Sequence, residues 1–182
     1  MKKIFILLLI GVLASCGDKK PEVASQEMSN TMEPINESVR LKSSARVPSL
    51  NFDELNTFLT KENDSTYIIN FWATWCKPCI KELPAFEEVA AKYSEAKVKV
   101  ILVSLDFPDK LESQVIPFID KNEIKSQVIL LDDADANRWI PKVSKEWSGA
   151  IPATIIYNGN TRKFYERSFT YEELEKELEL IL

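Results

Sequence analysis

The stretch FWATWCKPCIKELP, from Phe71 to Pro84, holds Cys76 and Cys79, two of the three cysteines in the chain. A pair at this spacing can be a reacting dithiol, half of a metal site or a structural bridge. The chain has no histidine, which removes imidazole bases, Cys/His nucleophile pairs and histidine ligands together. The remaining cysteine, Cys16, is remote, so a four-thiolate zinc site cannot be completed, and no carboxylate stands at a helpful spacing. No metal and no other cofactor is expected. A bridge closing so short a loop restricts the unfolded chain very little. It stays as the alternative to a dithiol, because exported domains do carry structural disulfides.

The elements around the pair decide what it can do. TYIINFW, Thr66–Trp72, is β-branched and aromatic without polar alternation, the pattern of a strand buried on both faces. After the cysteines, Ile80, Leu83, Phe86, Val89 and Ala90 recur at helical spacing as far as Tyr93, with Pro84 as an internal kink. Cys76 therefore falls where a central strand gives way to a helix, and Cys79 lies one turn inside. A helix N-terminus stabilises thiolate over thiol, and Lys77 adds to the effect, so the pKa of Cys76 is expected below that of an ordinary thiol. Residues three apart on a helix share a face, so Cys79 can resolve a mixed disulfide formed at Cys76. Pro78 suits an early helical position, where its missing N–H has no partner to lose.

The rest of the chain supplies a frame for that corner. Leu50, Leu55, Phe58 and Leu59 share a helical face, with Asn51 and Glu54 placed as a capping box, giving a helix over Phe52–Lys61. VKVILVSLD, Val98–Asp106, is a second buried strand, which makes strand, helix, strand a right-handed parallel crossover. The block before Pro152 is too long for a bare loop. It reads as a helix in KLESQVIPFIDKNEI, a strand in SQVILLD and an irregular helix broken at Pro141 in DADANRWIPKVSKEW. ATIIYNGNTRKFYE reads as a hairpin turning at Asn158-Gly159, and Thr170 with Glu173 caps a last helix whose inner face holds Leu174, Leu178 and Ile181. The expected class is α/β: a mixed central sheet, parallel in its middle and antiparallel at the hairpin, flanked by helices.

The chain has 182 residues, 45% apolar, with a net charge of −5 and acids interspersed among its lysines. One folded domain is expected, and nucleic acid is not expected as a partner. MKKIFILLLIGVLASC opens with two lysines and a short apolar run from Ile4 to Ala14. That run is too short to cross an apolar layer of about 30 Å as a helix, but suits an export signal. Residues 1–15 are read as a signal peptide. Residues 16–46, rich in Ser, Glu, Lys and Asn without periodicity, are read as a flexible tether, and residues 47–182 as the folded domain. The ending LASC resembles a bacterial lipoprotein signal, which implies a lipid on Cys16 and attachment to the membrane of a bacterial cell envelope, with the domain facing the periplasm or cell exterior.

NFWATWCKPC, Pro84 five residues after the second cysteine, the AIPAT segment around Pro152 and the Asn-Gly hairpin together resemble thioredoxin-fold proteins of the TlpA/ResA-like branch of thiol-disulfide oxidoreductases. The resemblance runs from about Val47 to the C-terminus. The inserted helix–strand block before the hairpin is also similar to that branch. It implies Cys76 as the exposed attacking cysteine, Cys79 as the buried resolving one, and Pro152 as a cis-proline beside them. Ile151 and Pro152 would pair with an extended substrate segment, while Lys77 and Pro78 border it and Trp72 and Trp75 flank the site, with a plain core role open for either tryptophan. It further implies disulfide-bearing exported proteins as substrates, reduction as the direction and a membrane dithiol as electron donor. One departure matters: thioredoxin carries a buried aspartate where this chain has Asn70, and asparagine cannot accept the proton of the resolving thiol. Glu82, three residues beyond Cys79, is the candidate base in its place, against the plain reading of a solvated surface acid. The alternatives are a polypeptide-binding module without redox turnover, and a thiol peroxidase, whose threonine-containing single-cysteine motif is not found.

Overall fold

A computed structural model describes residues 46–182. The expected signal peptide, Cys16 as the expected site of lipidation and all of the expected tether but Arg46 lie outside the described residues.

Six strands form one sheet in the order β1-β4-β3-β2-β5-β6. They are β1 (Ser49–Leu50), β2 (Thr66–Trp72), β3 (Val98–Ser104), β4 (Gln127–Leu131), β5 (Ala153–Tyr157) and β6 (Arg162–Tyr165). Pairing is parallel from β1 through β4 and β3 to β2, then antiparallel from β2 to β5 and β6. The mixed sheet is thus as expected, with every residue of β2 buried. Alternate side chains of β2 serve opposite faces. Ile69 and Phe71 pack with α1 (Phe52–Leu59) and α4 (Ala136–Val143). Ile68 and Trp72 face a second core, built from α2 (Lys77–Lys92), α3 (Ile116–Lys121) and α5 (Tyr171–Glu179). Both capping boxes are present, Asn51 with Glu54 and Thr170 with Glu173.

Four details differ from the sequence reading. Leu50 belongs to β1 and not to the face of α1; β1 is a two-residue edge strand whose pairing partner, Leu131, lies far along the chain. The segment read as one helix over 110–124 is a 3-10 turn (Pro108–Lys110), a π-helical stretch (Leu111–Val115) and only then α3. The wider stretch precedes Pro117, which has no N–H for the regular ladder and whose ring crowds the carbonyl four residues back. Pro141 does not break α4, which continues to Val143, because Trp139 and Val143 are buried on either side of it. The hairpin turns one residue later than expected. Tyr157 pairs with Arg162, and Asn158 Oδ1 accepts from the N–H groups of Asn160 and Thr161, at 3.1 and 3.0 Å, closing a turn centred on Gly159-Asn160.

Candidate active site

Cys76 is the N-cap residue of α2. Its Sγ accepts from the N–H of Cys79 at 3.3 Å, and its carbonyl accepts from Ile80. The first turn of a helix needs such an acceptor for its free N–H groups, and a thiolate supplies a better one than a thiol. Cys76 and Cys79 are joined as a disulfide, with their Cα atoms 5.3 Å apart. Cys79 is fully enclosed at 0% exposure and Cys76 keeps 5%, so any partner must meet Cys76 first. Among the described residues no cluster of cysteines and carboxylates could hold a metal ion.

Across from the dithiol the Ile151–Pro152 peptide is cis. The carbonyl oxygen of Ile151 lies 3.7 Å from Cys76 Sγ. The turn that delivers it is stapled from outside: Glu166 accepts from the N–H groups of Ser148 and Ala150, at 3.0 and 3.3 Å, and from the Ser148 hydroxyl. Gly149 sits at φ +94°, where a Cβ would meet Ile140 Cδ1 at 3.1 Å, so a larger residue is disfavoured twice over. Trp147 Nε1 donates to the Ala150 carbonyl at 2.8 Å. Trp75, 61% exposed, and the exposed Lys77 and Pro78 form the rim beside the dithiol, whereas Trp72 is core.

Behind the dithiol, on the inner face of α2, Glu82 is 3% exposed and not the solvated surface acid of the alternative reading. Asn70 Nδ2 donates to its Oε1 at 2.8 Å and the Phe169 N–H to its Oε2 at 2.8 Å. Burial pushes its pKa from 4.5 up to about 7, while the Phe169 N–H, the Asn70 amide and the charge of Arg167 pull the other way. A carboxyl that titrates near neutrality, three residues from Cys79 on the same helix face, suits proton exchange with that thiol. Glu82 lies on the buried face of α2 with Cys79, Leu83, Phe86 and Val89.

Sequence reasoning missed the support in front of the dithiol. Asp106, 2% exposed and two residues past the end of β3, accepts from the Thr74 N–H at 3.0 Å, the Thr74 hydroxyl at 2.5 Å and the Ser104 hydroxyl at 2.8 Å. It thereby fixes the turn that carries Trp75 into Cys76. Asp106→Ala leaves those donors without their partner and is expected to cost about 2–3 kcal/mol in urea unfolding of the oxidised protein. An unchanged midpoint would show that the turn holds without it.

Residues 46–162 match the family model described as the AhpC/TSA family. The thioredoxin-like protein YneN of Bacillus subtilis is 33% identical over 115 residues, covering 62% of this chain and 63% of the relative. The thiol-disulfide oxidoreductase ResA of Oceanobacillus iheyensis is 32% identical over 110 residues, covering 59% of this chain and 53% of the relative. The matched regions thus span less than two thirds of either relative's length. Among solved structures, a thioredoxin-related protein from Neisseria meningitidis serogroup B superposes with a TM-score of 0.56 at 22% identity, covering 65% of this chain and 85% of that one. StoA from Bacillus subtilis gives 0.50 at 24%, covering 63% and 83%. These two likenesses establish a thioredoxin-like fold.

Proposed function

The chain belongs to the AhpC/TSA family, and from its similarity to a relative named thiol-disulfide oxidoreductase and from the dithiol geometry we propose a thiol-disulfide oxidoreductase that reduces disulfides of exported proteins outside the cytoplasm. One observation carries the reading: Cys76, the partly open sulfur of a vicinal pair, caps a helix 3.7 Å from the Ile151 carbonyl at a cis-proline. A substrate strand laid along Ile151 would bring its disulfide to that sulfur.

The reaction balances as two exchanges. The Cys76 thiolate attacks one sulfur of the substrate disulfide, a new S–S bond joins protein and substrate, and the second substrate sulfur leaves as a thiolate that takes a proton from solvent. Cys79 then gives its proton to Glu82 and attacks Cys76 Sγ. The Cys76–Cys79 bond forms, the mixed disulfide breaks, and the substrate thiolate is protonated in turn. Two electrons pass from the dithiol to the substrate. An external dithiol donor, held in the membrane, restores the reduced pair. The signal-like residues 1–15 and Cys16 support lipid attachment to the bacterial cell envelope, with the folded domain facing the periplasm or cell exterior, where disulfide-bearing proteins reside.

The test offers the pre-reduced protein two oxidants, a disulfide-bonded polypeptide and hydrogen peroxide. The expected result is faster oxidation by the polypeptide, with one Cys76–Cys79 bond formed per substrate disulfide opened. Faster oxidation by peroxide, with the polypeptide left intact, would replace this reading by peroxide reduction.

A further inference from the structure

Asn70 lies beneath the dithiol with a buried carboxamide of which only one end is used. Its Nδ2 donates twice, to Glu82 Oε1 at 2.8 Å and to Thr154 Oγ1 at 3.1 Å, the latter from the facing residue of β5. Its Oδ1 is buried without any hydrogen-bond partner. A buried carbonyl left empty calls for an explanation, since leaving one unpaired costs free energy.

The explanation comes from the second state of Glu82. As a carboxylate, Glu82 accepts at both oxygens, from Asn70 and from the Phe169 N–H. The Phe169 N–H belongs to the backbone and can only donate, so an added proton falls on the oxygen facing Asn70. There it meets an NH2 group, and two donors would face each other. A half-turn of the carboxamide replaces Nδ2 by Oδ1 in almost the same volume. Oδ1 then accepts from the protonated Glu82 and from the Thr154 hydroxyl, which can donate as readily as accept. Both arrangements make two bonds with the same neighbours, and the end of the carboxamide turned away from them is unpaired in each, Oδ1 in the first and Nδ2 in the second.

We infer that Asn70 is a positioning residue for proton transfer, whose carboxamide turns over to hold Glu82 first as carboxylate and then as acid during each catalytic cycle. The inference rests on Glu82 as the proton acceptor proposed above, and assigns Asn70 and Thr154 a role beyond filling the core. The proton reaches solvent on the other side of Glu82, through a cavity of about 460 Å³ bordered by Pro78, Lys81, Phe169 and Tyr171. The charged and titratable groups around Glu82 are Arg167, from the loop after β6, whose charge acts on it, and Lys81, Tyr171 and Glu173, which line the same cavity. The sheet contributes only the neutral Asn70 and Thr154.

The test is side-chain amide NMR on the oxidised protein, in which no turnover occurs. Between about pH 5 and pH 9, spanning the usual tail of perturbed carboxyls, the two Asn70 amide protons are expected to lose their hydrogen-bonded shifts together on acidification, with the same midpoint as the Glu82 carboxyl carbon. Amide signals that stay fixed while Glu82 titrates would overturn the inference, as would a Glu82 that does not titrate in that range. In Asn70→Leu, which removes the partner of both forms, the Glu82 midpoint should move by less than about one pH unit, whereas a partner of the carboxylate alone would let it rise further. The unsubstituted protein suffices if that variant does not fold. An undiminished rate in Glu82→Gln would remove the base from the mechanism and leave the amide titration standing, so the two readings fail separately.

Discussion

Replacing Cys79 with serine is expected to stop turnover and leave the protein covalently joined to its targets. Cys76 keeps its helix cap, its contact with Ile151 and its 5% opening to solvent, so the first exchange proceeds. The second needs a sulfur nucleophile one helical turn inside, and a serine hydroxyl does not open a disulfide under these conditions. Multiple-turnover reduction should fall by at least about a thousandfold, the loss typical of removing a nucleophile. Non-reducing gels should show adducts that dithiothreitol releases. The fold should survive, because the bridge closes a very short loop and its constraint on the unfolded chain is worth about 2 kcal/mol at most. Cys76→Ser should give no adducts at all, since Cys79 alone is fully enclosed. Targets held without a covalent bond in Cys79→Ser would mark a binding module and end the enzyme reading.

What the sequence made legible here is what local chemistry controls. The buried run Thr66–Trp72, the capping boxes at Asn51 and Thr170 and the placement of Cys76 at a strand-to-helix corner depend on neighbours a few residues apart. What it hid depends on pairings across the chain. β1 is too short to carry a pattern and exists because Leu131 offers it an edge. Asp106 looks like the end of a strand until Thr74 is brought against it, and Phe169 supplies a backbone N–H that no side-chain pattern announces. The hairpin slipped by one residue because Asn158 spends its carbonyl oxygen on the turn and its Nδ2 on the Ile181 carbonyl at 2.8 Å, a C-terminal contact that a two-residue turn motif does not include. Glu82 stood between: its place three residues beyond Cys79 made it a candidate base with a solvated surface acid as the alternative, and only its partners, Asn70 and Phe169, show how an acid is tolerated inside.

Glu82→Gln should make the protein more stable and a worse catalyst. Burial raises the Glu82 pKa from 4.5 to about 7. Between those values the folded protein holds a proton that the unfolded chain has released, so stability falls as pH rises through that window. Above it the ionised, buried Glu82 costs about 3 kcal/mol relative to the acid form. Glutamine is neutral at every pH. Its oxygen can keep the Phe169 N–H, and its NH2 can meet the Oδ1 of Asn70 as the protonated glutamate would. Urea unfolding of the oxidised variant should therefore lose the downward slope between about pH 5 and pH 7 and gain about 2 kcal/mol over the unsubstituted protein at pH 8. The same change removes the acceptor for the Cys79 proton, and turnover at neutral pH should fall by about one to two orders of magnitude. The unsubstituted enzyme should quicken as pH rises through about 7, where Glu82 becomes the carboxylate. The variant should quicken only toward the range of an ordinary thiol, about 8.5, where Cys79 ionises unaided. An unchanged rate with the stability gain intact would make Glu82 a buried acid without a catalytic part. A variant less stable at pH 8 than the unsubstituted protein would instead mean that its hydrogen bonds to Asn70 and Phe169 outweigh the cost of burying its charge.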